Sequence, residues 1–134
     1  MAFIALMCAG TFSSCGDNGE QTFKEASQLE MQGNEEEAVK LYHKAAEEGH
    51  AIAQLKLGTR YYYGNGVEEN REEAVKWYKK AANQGEPTAQ LNLGLCYYYG
   101  DGIEEDYEEA VKWVKKAADQ GDLSAQTTLE NITK

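Results

Sequence analysis

The tightest constraint on this chain is that it echoes itself: residues 51–86 laid over 87–122 agree at 24 of 36 positions without a gap. Ala53-Gln54-Leu55 returns as Ala89-Gln90-Leu91, and Tyr61-Tyr62-Tyr63-Gly64 as Tyr97-Tyr98-Tyr99-Gly100. Ala74-Val75-Lys76-Trp77 returns as Ala110-Val111-Lys112-Trp113. A diverged copy precedes them, with Ala38-Val39-Lys40-Leu41-Tyr42 standing 36 residues before Ala74, and residues 123–134 restart the pattern at Ala125-Gln126. A unit this short cannot bury its apolar face alone, so neighbouring units must stack and share one core.

Each copy reads as two helices. In the second, apolar residues fall at 74, 77, 78, 81 and 82 and again at 110, 113, 114, 117 and 118, the spacing of a helix with one buried face. Asn34, Asn70 and Asp106 stand at the N-cap position with Glu37, Glu73 and Glu109 three residues on, which predicts reciprocal capping boxes. Gly49, Gly85 and Gly121 end the same helices. Glu72–Lys76 and Glu108–Lys112 are expected as i,i+4 pairs on the wet side. The first helix carries Ala53, Leu57 and Tyr61, then Ala89, Leu93 and Tyr97, on its core face, with Pro87 at a helix start. Gly58 and Gly94 inside these helices cost about 1 kcal/mol against alanine; close approach of the paired helix, beneath Trp77 and Trp113, is the expected compensation. Gly64-Asn65-Gly66 and Gly100-Asp101-Gly102 read as the loop within each unit.

The set Ala-x-x-x-Leu-Gly-x-x-Tyr-x-x-Gly-x-Gly-(Val/Ile), then Ala-x-x-Trp and Lys-Ala-Ala-x-Gln-Gly, resembles the Sel-1-like repeats, a subclass of tetratricopeptide-like helical repeats. The resemblance covers residues 23–134: units at about 23–50, 51–86 and 87–122, then a capping helix over 123–134. The first unit departs from it, since Gln32-Gly33 replaces the longer Gly-x-Gly loop. The resemblance implies an all-α solenoid of antiparallel helix pairs, wound as a right-handed superhelix, whose concave groove binds a protein or peptide. Carried onto this sequence, the groove positions are Leu55, Thr59, Tyr62 and Tyr63 in one unit and Leu91, Leu95, Tyr98 and Tyr99 in the next. For the second and third tyrosines of each triplet, partner binding and packing between units remain equal alternatives; Tyr61 and Tyr97 fit the core period. Tyrosine offers a rigid apolar ring with a polar tip, which suits it to interfaces.

Charge narrows the partner. Acidic residues outnumber basic ones 23 to 13, for a net charge of −10, the wrong sign for a phosphate backbone, so no nucleic acid is expected. A mean hydropathy of −0.68, with no apolar run near twenty residues, argues against a spanning helix. The acidic runs Glu35-Glu36-Glu37, Glu68-Glu69 and Glu104-Glu105-Asp106 sit where they favour helix starts. They also support an alternative reading, an inhibitor or immunity-type protein that neutralises a basic partner. His43 and His50 lack partners at metal-ligand spacing and are expected at the surface; no metal or cofactor is expected. No nucleophile–base arrangement, P-loop or dinucleotide fingerprint is present, so a non-enzymatic, monomeric module is expected. Cys96 lies in an apolar helix pattern and reads as an inert core thiol.

Ala2 to Phe12 is an apolar run followed by Ser13-Ser14-Cys15 and a polar stretch. It fits the h-region of a signal peptide, and the small residues before Cys15 resemble the lipobox of bacterial lipoproteins. Phe12 stands where leucine is usual, and no Lys or Arg precedes Lys24. The expectation is a signal peptide over 1–14, a lipidated Cys15 that tethers the chain to a membrane, a flexible linker over 15–22, and a periplasmic or cell-envelope location. The alternative is an apolar segment that packs on the repeats or frays, in a cytoplasmic protein.

Overall fold

A computed structural model describes residues 17–134. The described residues form seven helices: α1 (Glu20–Met31), α2 (Glu35–Glu47), α3 (Ala51–Tyr63), α4 (Arg71–Asn83), α5 (Pro87–Tyr99), α6 (Tyr107–Asp119) and α7 (Leu123–Ile132). Each packs chiefly on the helix before it and the helix after it, so the fold is an all-α repeat solenoid of helix pairs. Helix α1 already begins at Glu20, where Asp17 accepts from the Gln21 amide; residues 20–22, expected within a linker, are helical.

The helix ends follow the sequence with one set of corrections. Asn70 and Asp106 cap α4 and α6 by accepting from the Glu73 and Glu109 amides, whereas Asn34 makes no such bond. The reciprocal half of the capping box is absent at both. The Asn70 and Asp106 amides donate instead to the Tyr61 and Tyr97 carbonyls as the loop folds back. Glu73 and Glu109 are thereby released to pair with Lys76 (2.9 Å) and Lys112 (3.4 Å), so these lysines take i,i+3 partners in place of Glu72 and Glu108. At the far ends, the Gly85 and Glu86 amides close on the Ala82 and Ala81 carbonyls, and Gly49 and Gly121 turn in the same way.

Gly58 and Gly94 do mark the closest approach within a unit, but the partner is one residue further along than expected. A Cβ on Gly58 would lie 2.8 Å from the Tyr78 ring, and one on Gly94 would lie 2.6 Å from Val114 Cγ2. Adjacent helical residues point about 100° apart. While Tyr78 and Val114 face their own unit's first helix, Trp77 and Trp113 turn to the preceding unit. Trp77 joins the cluster of Ala38, Tyr42 and Leu57, and Trp113 that of Ala74, Tyr78 and Leu93. The tryptophans are the wedges that join one unit to the next.

A glutamine relay adds a second link between units. Gln84 donates to the Gly49 carbonyl and to Gln54 Oε1, while Gln54 donates to the Ala46 carbonyl. Gln120 repeats this one unit on, reaching Gly85 O and Gln90 Oε1 at 2.9 and 2.8 Å, with Gln90 on Ala82. A third link uses the Gly-x-Gly loop: a Cβ on Gly102 would sit 2.3 Å from the Arg71 carbonyl of the preceding unit. Three independent contacts therefore fix the placement of neighbouring first helices, the surface on which the candidate site lies.

Candidate functional site

The first helices α1, α3 and α5 lie side by side and enclose a trough made of two adjoining concavities. One, of about 310 Å³, is lined by Thr59, Tyr62, Tyr63, Tyr78, Thr88, Asn92, Leu95 and Cys96. The other, of about 390 Å³, is lined by Leu55, Lys56, Arg60 and Asn65 with Glu30 and Glu35, and shares Thr59 and Thr88 with the first. Five expected groove residues line this trough: Leu55, Thr59, Tyr62, Tyr63 and Leu95. Leu91 does not. It is 8 % exposed and packs with Val114, Ala117 and Ala125 beneath α7. Tyr98 and Tyr99 lie outside the trough lining, edge to face at 5.0 Å, with Tyr99 67 % exposed. Tyr61 and Tyr97 pack partly buried against the core, as their period requires.

Of the tyrosines in the trough, Tyr63 is the most exposed. It stands 64 % exposed and edge-on to Tyr62 at 4.9 Å. Tyr62 is held: its hydroxyl donates to Asp101 Oδ2 at 2.8 Å and accepts from Arg71 Nη1 at 3.2 Å. The Arg71 guanidinium stacks 4.3 Å from the Tyr62 ring centroid. Burial, then the bond to Asp101, pushes the Tyr62 phenol up to about 12. Tyr78 donates to Thr59 Oγ1 at 3.3 Å, and burial raises its phenol to about 12 as well. Cys96 is raised to about 12, by burial first and by the Asp101 charge second. A thiol so raised stays protonated at neutral pH and is a poor nucleophile. The Tyr78–Cys96 end of the trough thus carries no ionised group.

Sequence reasoning missed the opposite end, where Arg60 pairs with both Glu30 and Glu35. Lys56 reaches Glu30 at 2.9 Å, and the Tyr42 hydroxyl donates to the same carboxylate. Burial disfavours the Glu30 charge, but the bonds from Tyr42 and Lys56 outweigh it and hold the carboxyl below its ordinary value. The signal was present: Arg60 occupies the position of Cys96 one unit on, and an arginine in an apolar stripe is buried only when paired. Thr88 and Asn92 were also missed, because no period marks a wall residue that is neither core nor charged.

His50 was expected at the surface and is structural. Its Nδ1 accepts from the Ala53 amide at 3.1 Å as the N-cap of α3, its Nε2 lies 2.9 Å from Glu20, and its ring stacks on Phe23 at 4.3 Å. Glu86 and Asp122 cap α5 and α7 at the corresponding sites. His43 is half-exposed and sits edge-on to Trp77 at 5.4 Å. Among the described residues, no three His, Cys, Asp or Glu side chains are grouped to hold a metal ion, and no helix is long and apolar enough to cross a membrane. The expected signal peptide over 1–14 and the lipidated Cys15 lie outside the described residues.

Against known proteins, the family model for the Sel1 repeat matches residues 28–50, 51–86 and 87–122. A Sel1 repeat protein from Oxalobacter formigenes superposes with a TM-score of 0.78 at 36% identity, covering 85% of this chain and 49% of that one. The protective antigen c5321 of uropathogenic Escherichia coli strains, described as displaying an SLR fold, gives 0.76 at 36% identity over 84% of this chain and 25% of that one. Cysteine-rich protein B of Helicobacter pylori gives 0.66 at 28% identity, covering 69% and 70%. The chain spans a quarter of the antigen and about half of the Oxalobacter protein. No curated protein gives a significant match.

Proposed function

Because the chain belongs to the Sel1 repeat family, whose members serve as protein–protein interaction modules, we propose that it is a non-enzymatic adaptor that docks a partner protein in the trough across α1, α3 and α5. The observation that carries this reading is the continuous trough itself, with Thr59 and Thr88 common to both of its halves. Its walls are rigid because tryptophan wedges and glutamine links fix the helices that form them. A preformed site binds without the entropy of ordering itself. Leu55, Thr59, Tyr63 and Leu95 are the contact residues of this proposal, with Tyr62 holding Tyr63 in place. Tyr98 and Tyr99 extend the contact beyond the trough.

Pull-down from the source cell tests it. Tyr63→Ala combined with Leu95→Ala should abolish capture of the partner while helicity is kept, whereas Lys80→Ala on α4 should leave capture intact. Full capture by the double variant refutes the docking site.

The acidic loops support a second reading, recognition of a basic partner. Glu68, Glu104 and Glu105 are exposed, and none is ion-paired among the described residues. Steep loss of binding with salt, dependence on these glutamates and survival of binding in the Tyr63→Ala, Leu95→Ala double variant would together favour it. The Ala2–Phe12 run ahead of Ser13-Ser14-Cys15 supports export and tethering by lipid on Cys15. Unchanged membrane partitioning of Cys15→Ala would refute the tether.

A further inference from the structure

We infer that the occupant of the trough is an extended segment of a partner chain that buries one uncharged apolar side chain between Tyr63, Tyr78 and Leu95, with basic rather than acidic residues on either side of it. This rests on the trough being the docking surface and adds the chemistry of what it takes.

Three observations define that chemistry. The 310 Å³ half has no ionised lining residue, although acids and bases together supply 27% of the chain. Its walls are phenol rings, a leucine, two threonines, an asparagine and a protonated thiol. A charged side chain entering it would lose hydration and meet no ionised group in the lining, the nearby Asp101 being already paired with Arg71 and Tyr62, whereas an aliphatic or aromatic one gains from burial. Next, Thr88 and Asn92 stand exposed and half-exposed on the α5 wall. The Asn92 amide offers both donor and acceptor, the complement of a peptide group. A helical ligand would already have satisfied its own backbone; an extended one brings free N–H and C=O groups to such a wall.

The third observation is charge. In the 390 Å³ half, two carboxylates (Glu30, Glu35) meet two cations (Lys56, Arg60) and close on one another. The floor therefore selects no sign of charge. The field beyond it does, because the chain carries −10 overall and exposes Glu68, Glu104 and Glu105 on its loops. That field draws cationic flanks toward the trough and repels anionic ones.

Panning a random dodecapeptide display library on the full chain tests the inference. The expected result is enriched peptides that share one Leu, Ile, Met, Phe or Trp position flanked by Lys or Arg. A synthetic peptide of that consensus should bind about tenfold more weakly when its apolar residue becomes Asp, and more weakly as salt rises. Binding should also fall about tenfold or more for Thr88→Trp, which plugs the trough from an exposed position, and for Leu95→Lys, which places a charge in the apolar half. Both variants are checked for helicity first. No enrichment, acidic flanks, or unchanged binding to a folded Thr88→Trp variant would each overturn the inference. If peptides fail while a cellular partner still requires Tyr63 and Leu95, only the extended apolar anchor is lost; if the partner too ignores these residues, the docking reading falls with it.

Discussion

Replacing Gly94 with alanine sets two physical effects against each other. Alanine is the better helix former by about 1 kcal/mol, so local propensity favours the variant in the middle of α5. The packing opposes it: the new methyl would lie 2.6 Å from Val114 Cγ2, 3.0 Å from the Ala110 carbonyl oxygen and 3.2 Å from the Val114 amide nitrogen. Two of these three neighbours are backbone, and Val114 is fully buried, so neither can swing aside. Overpacking of this kind costs about 1–3 kcal/mol. With the two rigid neighbours the upper half of that range applies, leaving a net loss of roughly 1–2 kcal/mol after propensity is subtracted. At roughly 4 °C per kcal/mol for a chain of this size, Tm should fall by about 4–8 °C in thermal unfolding followed by circular dichroism. A double-mutant cycle separates the causes. Val114→Ala removes the Cγ2 clash, so Gly94→Ala should cost at least about 1 kcal/mol less in the Val114→Ala background. A Gly94→Ala variant more stable than the parent, or strict additivity with Val114→Ala, refutes close helix approach as the reason for this glycine.

Tyr62→Phe keeps the ring under Arg71, and the direct Arg71–Asp101 ion pair at 3.2 Å, but removes the hydroxyl that bonds to both. It should cost about 0.5–1.5 kcal/mol in urea unfolding, and no change would mean the hydroxyl's part in the link between units is idle. Gln120→Ala deletes both the bond to Gly85 and the bond to buried Gln90; a loss of about 1–3 kcal/mol is expected, with α7 amides exchanging faster with solvent. His50→Ala should cost about 1 kcal/mol by stripping the α3 cap. Glu20 provides the pH test. His50, then Lys24, holds its carboxyl below the ordinary value of 4.5. A depressed carboxylate contributes stability that is present above the unfolded pKa and lost as pH falls through the folded one. Glu20→Gln should therefore flatten the acid limb of stability below about pH 4.5, and an unchanged limb would contradict the pairing.

Most of the fold was legible in the sequence because a repeat states the same local rule several times. Helices α3 to α6, their caps at Asn70 and Asp106, and the glycines at 49, 85 and 121 all follow from short-range spacing. What periodicity reports is which residues turn inward; it is silent on whom they meet. That is why Trp77 was placed over Gly58 when Tyr78 occupies that position. Capping boxes at Asn70 and Asp106 fit the spacing and failed for a tertiary reason, since the returning loop delivers both amides to the Tyr61 and Tyr97 carbonyls. The glutamines at 54, 84, 90 and 120 repeat as faithfully as the core residues, yet the bonds that Gln84 and Gln120 make between units span 30 or 35 positions and have no local signature. For the trough, residues one turn apart on α3 were found together. Leu91 was misplaced because α7 covers it, while its counterpart Leu55 opens on the trough. His50 was expected at the surface because its partners, Phe23 and Glu20, come from the diverged first unit and from the stretch just before it, read as linker.

Site-resolved photo-crosslinking tests the docking surface most directly. A photoreactive phenylalanine placed singly at Tyr63, Leu95 or Lys80, with light applied in the source cell, reports which surface touches the partner. Adducts to one and the same partner from positions 63 and 95, with none from position 80, are predicted. Adducts from position 80 alone would contradict the placement of the partner in the trough.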